Sequence, residues 1–122
     1  MIEIMDTTLR DGEQTSGVSF SGQEKLSIAK LLLNDLGVNR VEIASARVSN
    51  GEFDTVRKIA EWASHAGHLD KVEILGFIDK GESLRWIKEA GCNTVNLLTK
   101  GSYKHVTEQL RKTPEQHLDD IR

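Results

Sequence analysis

Arg40-Val41-Glu42-Ile43-Ala44 is a short β-branched run with an acid set between two apolar residues. Read with period two, it puts Val41 and Ile43 on one face of a strand and Glu42 and Ala44 on the other. Two later runs repeat the arrangement. Residues 72–77 set Val72 and Ile74 against Glu73 and Leu75, and residues 93–98 set Val95 and Leu97 against Asn96 and Leu98. Residues 2–6 predict an earlier strand. Between these runs apolar residues recur at helical spacing: Leu26, Ala29, Leu32, Leu33 and Leu36, then Phe53, Val56, Ile59, Ala60 and Ala63, then Leu84, Ile87 and Ala90. Ser21 with Glu24 and Ser49 with Glu52 have capping-box spacing, and Asp79 is placed to cap the third helix. Gly37, Gly67 and Gly91 follow the periodic stretches, where a left-handed residue ends a helix.

Strands alternating with helices over short links predict a parallel sheet with right-handed crossovers. A doubly wound sheet buries both faces under helices and favours strands that are apolar throughout. Here one face carries Glu42, Glu73 and Asn96, which suits the inside of a barrel near its mouth. The expected class is therefore α/β, the N-terminal half, about four βα units, of a (β/α)₈ TIM barrel. Thr113-Pro114-Glu115-Gln116 has the form of a helix start, and Leu118 and Ile121 begin a stripe just before Arg122. A whole barrel takes about 250 residues. Residues 1–122 are thus expected to form a partial catalytic barrel domain, truncated within its fourth helical region.

Composition narrows the function classes. The chain is 38% hydrophobic and 29% charged, with a net charge of −3 and its acids and bases interspersed. No concentrated basic face points to nucleic acid or an anionic membrane, and no apolar run approaches spanning length. Cys92 is the only cysteine, so neither a disulfide framework nor a cysteine zinc site is built within one chain. A lone thiol and the absence of a signal peptide lead us to expect a cytoplasmic protein.

The segment leaving the first strand, Asp6-Thr7-Thr8-Leu9-Arg10-Asp11-Gly12-Glu13-Gln14, is charged and lies where barrel enzymes keep their catalysts. A carboxylate there suits a divalent metal, and a guanidinium suits a developing oxyanion. An arbitrary Arg-Asp-Gly triplet would be a solvated loop with a local ion pair. The whole string, however, resembles the opening of the metal-dependent Claisen-condensing synthases: the 2-isopropylmalate, homocitrate and citramalate synthase family, relatives of the hydroxymethylglutaryl-CoA lyases. The likeness extends through RVEIAS (40–45), EILGF (73–77) and NLLTKGS (96–102), and is citramalate-synthase-like in character.

That resemblance implies an acyltransferase condensing acetyl-CoA with a small 2-oxo acid in branched-chain amino-acid biosynthesis, and a homodimer for the full-length enzyme. Asp11 would ligate the divalent metal (Zn, Mn or Mg). Arg10 would lie against the 2-oxo acid carbonyl and the acetyl-CoA enolate. Glu42 would orient or stabilise the site, and Gln14 would line it from behind. A His-x-His pair, a further acid and a C-terminal histidine would come from later regions, so residues 1–122 alone are expected to be inactive. Leu75 and Leu98, near strand ends on the face assigned to the interior, would narrow the pocket around a methyl group such as pyruvate's. The alternative that they merely fill a barrel layer stands beside this reading.

Two rival functions are a hydroxyacyl-CoA lyase of the same superfamily and a non-catalytic half-barrel that self-associates. The lyases more often carry RDGLQ where Arg10–Gln14 reads RDGEQ, which favours the synthases. His65 and His68 are expected at a solvated helix terminus at the barrel bottom, and His105 and His117 have no assigned role. Loop 99–102 lacks phosphate-loop spacing and is a candidate for loop chemistry, including contact with a CoA phosphate. Run 104–112 is expected to be a solvated helix face, Trp62 and Trp86 to pack, and Arg47 to be a weak candidate for substrate binding.

Overall fold

The structure, a computed structural model, describes residues 1–122. Four parallel strands follow one another in the sheet: β1 (Met5–Asp6), β2 (Arg40–Ser45), β3 (Val72–Phe77) and β4 (Val95–Leu98). Helices α1 (Gly22–Lys30), α2 (Asn50–Ala66) and α3 (Glu82–Glu89) cross between them, and α4 (Pro114–Ile121) follows β4. The winding never reverses. A doubly wound sheet has a switch point where strand order turns back, whereas successive neighbours in one direction are the course of a barrel wall.

Local chemistry explains most boundaries. Ser21 and Glu24 form a reciprocal capping box at α1, and Thr113 and Gln116 form another at α4, where Pro114 takes the first helical position. At α2 the Glu52 N–H donates to Ser49 Oγ (3.1 Å), but the Glu52 carboxylate goes to Lys25 instead of returning to the cap. Asp79 caps α3 from outside it, accepting from the Ser83 N–H (2.9 Å) and Ser83 Oγ (2.7 Å). Gly37 and Gly67, with φ of 70° and 73°, end their helices in the left-handed region, where a Cβ is strained.

Four expectations need correction. The first ladder covers only Met5–Asp6 rather than 2–6, because the Ile4 N–H is taken by the Asn39 side chain (2.8 Å). The fourth begins at Val95 rather than 93. The stripe of α1 is rotated. Lys25, Ala29 and Leu33 are buried, while Leu36, in the wide turn Leu31–Leu36 that continues the helix, is 70% exposed.

The fourth correction concerns a bulge in β2. Glu42 pairs with Glu73, but the register shifts between Glu42 and Ala44, so that Ala44 lies opposite Ile74 and Ser45 opposite Leu75. An extra residue inverts the alternation beyond it. Ser45, not Ala44, therefore shares the face of Glu42 and Leu75.

The core lies between sheet and helices. Val41, Ile43, Val72 and Ile74 meet Val56, Ile59, Ala60 and Ala63 of α2 and Ile87 of α3. Phe53 packs edge-on against Trp86 at 5.2 Å, so both aromatics near α3 serve packing. Cys92 is buried, and burial pushes its thiol up to about 11, which keeps it protonated at neutral pH. No helix is long and apolar enough to cross a membrane.

Candidate functional site

Beyond Asp6 the chain turns tightly, because the N–H groups of Arg10, Asp11 and Gly12 all converge on the Thr7 carbonyl at 3.2, 2.8 and 3.1 Å. Asp6 fixes the start of this turn by accepting from the Thr8 N–H and hydroxyl. Leu9 is fully buried, so its neighbour Arg10 is directed across the strand ends towards β2. There Nε donates to Glu42 Oε1 at 2.8 Å and Nη2 to Oε2 at 3.2 Å, while Nη1 donates to Asp11 Oδ1 at 3.0 Å. Glu42 is fully buried, and the Asn96 amide from β4 completes its shell by donating to Oε2 at 3.2 Å. Hydrogen bonding to Glu42, against some desolvation, raises the Arg10 pKa further above its ordinary value and keeps the guanidinium charged.

The loop after β1 and strands β2 and β4 thus contribute to one cluster, in which Arg10 contacts both Asp11 and Glu42 and Asn96 contacts Glu42. Gln14 shares with Arg10 a cavity of about 240 Å³, also lined by Glu13, Ser45, Val48 and Glu52. Leu98 belongs to a separate cavity of about 160 Å³ over the ends of β3 and β4, with Phe77, Thr99, Lys100, Leu110 and His117. Leu75 lines neither cavity and is buried beside Asn96 in register. Glu73 stays outside the cluster, because Arg40 at the start of β2 takes it at 3.1 Å.

A family model described as HMGL-like matches residues 1–122. The chain belongs to the HMGL-like family. This is a TIM-barrel family, and the four βα units are a partial barrel within it. The chain is 39% identical over 119 residues to the (R)-citramalate synthase CimA of Methanocaldococcus jannaschii, covering 98% of the chain and 23% of that relative. It is 39% identical over 121 residues to the homocitrate synthase AksA of Methanopyrus kandleri, covering 97% and 28%. The 2-isopropylmalate synthase of Oceanobacillus iheyensis is 36% identical over 118 residues, covering 97% and 22%. The chain spans about a quarter of the length of these relatives.

Within this HMGL-like half-barrel, sequence reasoning passed over several residues that hold the site. Asn96 lies on the face that the alternation of its strand predicts, and its bond to Glu42 has no signal in the sequence. Lys25 would be taken for a solvated helix residue, yet it is 2% exposed. Its signal was the spacing of Lys25, Ala29 and Leu33, four apart on one helix face. His117 is also buried. Its Nε2 lies 3.0 Å from the Lys100 carbonyl and 2.9 Å from the Thr99 hydroxyl, tying the β4 loop to α4. The carbonyl only accepts, so Nε2 carries the proton. Arg47 adopts a left-handed φ of 65° and donates to Asp79 (2.9 Å), linking the loops after β2 and β3. His65 Nδ1 donates to the Glu61 carbonyl and His68 Nε2 to Asn34 Oδ1, both at the far end of α2.

Proposed function

We propose that these residues form the N-terminal part of the catalytic barrel of an acyltransferase that condenses acetyl-CoA with a small 2-oxo acid. The observation that carries this reading is Arg10, held by a buried carboxylate and placed beside Asp11, whose side chain is 61% exposed. Three of the five guanidinium N–H donors are engaged, leaving one on each terminal nitrogen. These two donors are oriented in advance and cost no reorganisation when negative charge develops on an oxygen in front of them. Glu42 sets the plane of the fork, and Asn96 sets Glu42.

Asp11 suits a divalent cation. One carboxylate oxygen meets Arg10, and the exposed side chain offers the hard oxygen that such ions take. No group of three His, Cys, Asp or Glu side chains is gathered to hold a metal, so Asp11 would be one ligand among several. A bound metal would supply Lewis-acid polarisation of the 2-oxo acid carbonyl. Arg10 would then stabilise the enolate of the thioester and the alkoxide formed on condensation, and Gln14 would border the same space.

For the 2-oxo acid we favour pyruvate. Leu98 and Phe77 set two apolar side chains at the ends of β4 and β3, which suits a methyl group; Lys100, Lys112 and His117 line the same cavity, which is separate from the one beside Arg10. The Methanocaldococcus relative is named for citramalate, the condensation product of pyruvate, while the Methanopyrus relative of the same identity is named for homocitrate. Leu98→Ala is expected to move the ratio of kcat/KM by about tenfold towards a branched 2-oxo acid, the scale of one to two methylenes in an apolar pocket. An unchanged ratio would show that Leu98 only fills space.

The direct test is release of CoA from acetyl-CoA, followed with a thiol reagent, using pyruvate and larger 2-oxo acids and a divalent metal. The natural protein carrying residues 1–122 is expected to turn over, and the 122-residue polypeptide alone is not. Turnover by the short polypeptide would mean that Arg10, Asp11 and Glu42 suffice without further ligands. Absence of turnover by the natural protein with every 2-oxo acid would refute the reaction class.

A further inference from the structure

We propose that Lys25, Glu13 and Glu52 form a charged brace that holds the Arg10–Asp11 loop in its working position, making Lys25 a positioning residue for the reaction proposed above, on which this inference rests. Lys25 lies in the first turns of α1, and its Nζ donates at 2.6 Å to Glu13 Oε2 and at 2.6 Å to Glu52 Oε1. Glu13 sits in the turn Gly12–Gln14, two residues beyond Asp11. Its second oxygen accepts the Phe20 N–H at 3.0 Å, so one carboxylate ties both ends of segment 13–20 to α1. Glu52 joins from the first turn of α2. Three elements thus meet at one ammonium.

The three groups carry two negative charges and one positive charge in a mostly dry place, an arrangement that adds little net stability compared with apolar packing. What it supplies is position. The turn of residues 7–12 is closed on itself around the Thr7 carbonyl, so it can move as a unit. Its ties to the body are Leu9 in the core, Arg10 on Glu42 and Glu13 on Lys25. Without the third tie, only Leu9 and the Arg10–Glu42 bonds hold the turn, and its Gly12–Gln14 end can swing, displacing Asp11 and straining the Arg10 fork.

The backbone is adapted to the same end. An added Cβ at Gly22 would lie 2.6 Å from Thr55 Oγ1, so glycine at this position lets α1 approach α2 closely enough for Lys25 to reach Glu52. Glu13 and Glu52 also wall the cavity that Arg10 and Gln14 line.

The test uses the full-length natural protein with Lys25→Met, Glu13→Gln and the double variant. Glu13→Gln keeps the size and an acceptor, and so guards against a failure to fold. Amide exchange in residues 12–18 is expected to rise at least about tenfold in each variant, while exchange in β3 is unchanged. Turnover is expected to fall by about 10–100-fold, the scale of a misplacement near an ångström, with the double variant no worse than Lys25→Met because the pair acts as one unit. A lowered melting temperature with kcat within twofold of wild type would make the brace merely structural and overturn the proposal. Unchanged exchange in residues 12–18 would overturn it as well. If the wild-type protein itself condenses nothing, the proposed reaction fails, and the exchange result alone then decides whether Lys25 holds the loop.

Discussion

Replacing Arg10 by lysine in the natural protein is expected to lower kcat by about 10²–10³-fold, the usual loss when one preorganised oxyanion donor is removed. The guanidinium meets both oxygens of Glu42 and one of Asp11 while keeping two N–H groups for substrate. An ammonium has three donors on a single atom and cannot bridge the two Glu42 oxygens in a plane. If it turns to Glu42 and Asp11 it has at most one donor left, pointed wherever those two bonds leave it. The loss should fall mainly on kcat, because charge develops only along the reaction, and KM for the 2-oxo acid should change less. Steady-state kinetics check this. A lysine variant with near-wild-type kcat would remove Arg10 from charge stabilisation.

Glu42→Gln is expected to cost about 3 kcal/mol of stability, the lower end of the range for breaking a buried ion pair. Glu42 is fully buried and receives three donors: two from Arg10 and one from Asn96. An amide retains one accepting oxygen. Its NH₂ group then faces Arg10 Nε in one orientation, or Arg10 Nη2 and Asn96 in the other, donor against donor, with little water to relieve the conflict. The Arg10 side chain is 19% exposed and recovers some solvation, which keeps the cost from being larger. Urea unfolding of wild type and variant measures the difference, with an unchanged slope showing that only stability moved. A change below about 1 kcal/mol would mean that the fork around Glu42 is not a principal constraint on the loop. Turnover should drop in the same variant, since Arg10 loses the partner that sets its plane.

Much of the architecture follows from short-range chemistry. The boxes Ser21/Glu24 and Thr113/Gln116, the left-handed Gly37 and Gly67, and the β-branched strands are each written within a few residues, and each has its expected place. Alternation in β2 and β4 placed Glu42 and Asn96 on one face before any contact was visible. The motif Arg10–Gln14 marked the loop in which Arg10 lies between Asp11 and Glu42, and the family model matches residues 1–122.

Other features depend on contacts between residues far apart in the chain. Arg10 and Glu42 are 32 positions apart, and nothing in either segment names the other as its partner. Lys25 looks like a surface residue because lysine is usually solvated, and only the approach of α2 at Gly22 and the turn at Glu13 makes its burial possible. The bulge that moves Ala44 off the face of Glu42 arises from pairing with β3, so the alternation of β2 alone points the wrong way. Leu75 and Leu98 share a face by period, yet the register sets Leu98 opposite Phe77, two residues beyond Leu75, which leaves Leu75 below the cavity that Leu98 lines. By itself the sequence determined the βα order, the helix ends and the loop that holds Arg10 beside Asp11, because caps, turns and hydrophobic periodicity act over a few residues. Only the tertiary structure decided which charges meet and which way the side chains beyond the bulge face, because buried ion pairs and strand register form only when distant segments pack together.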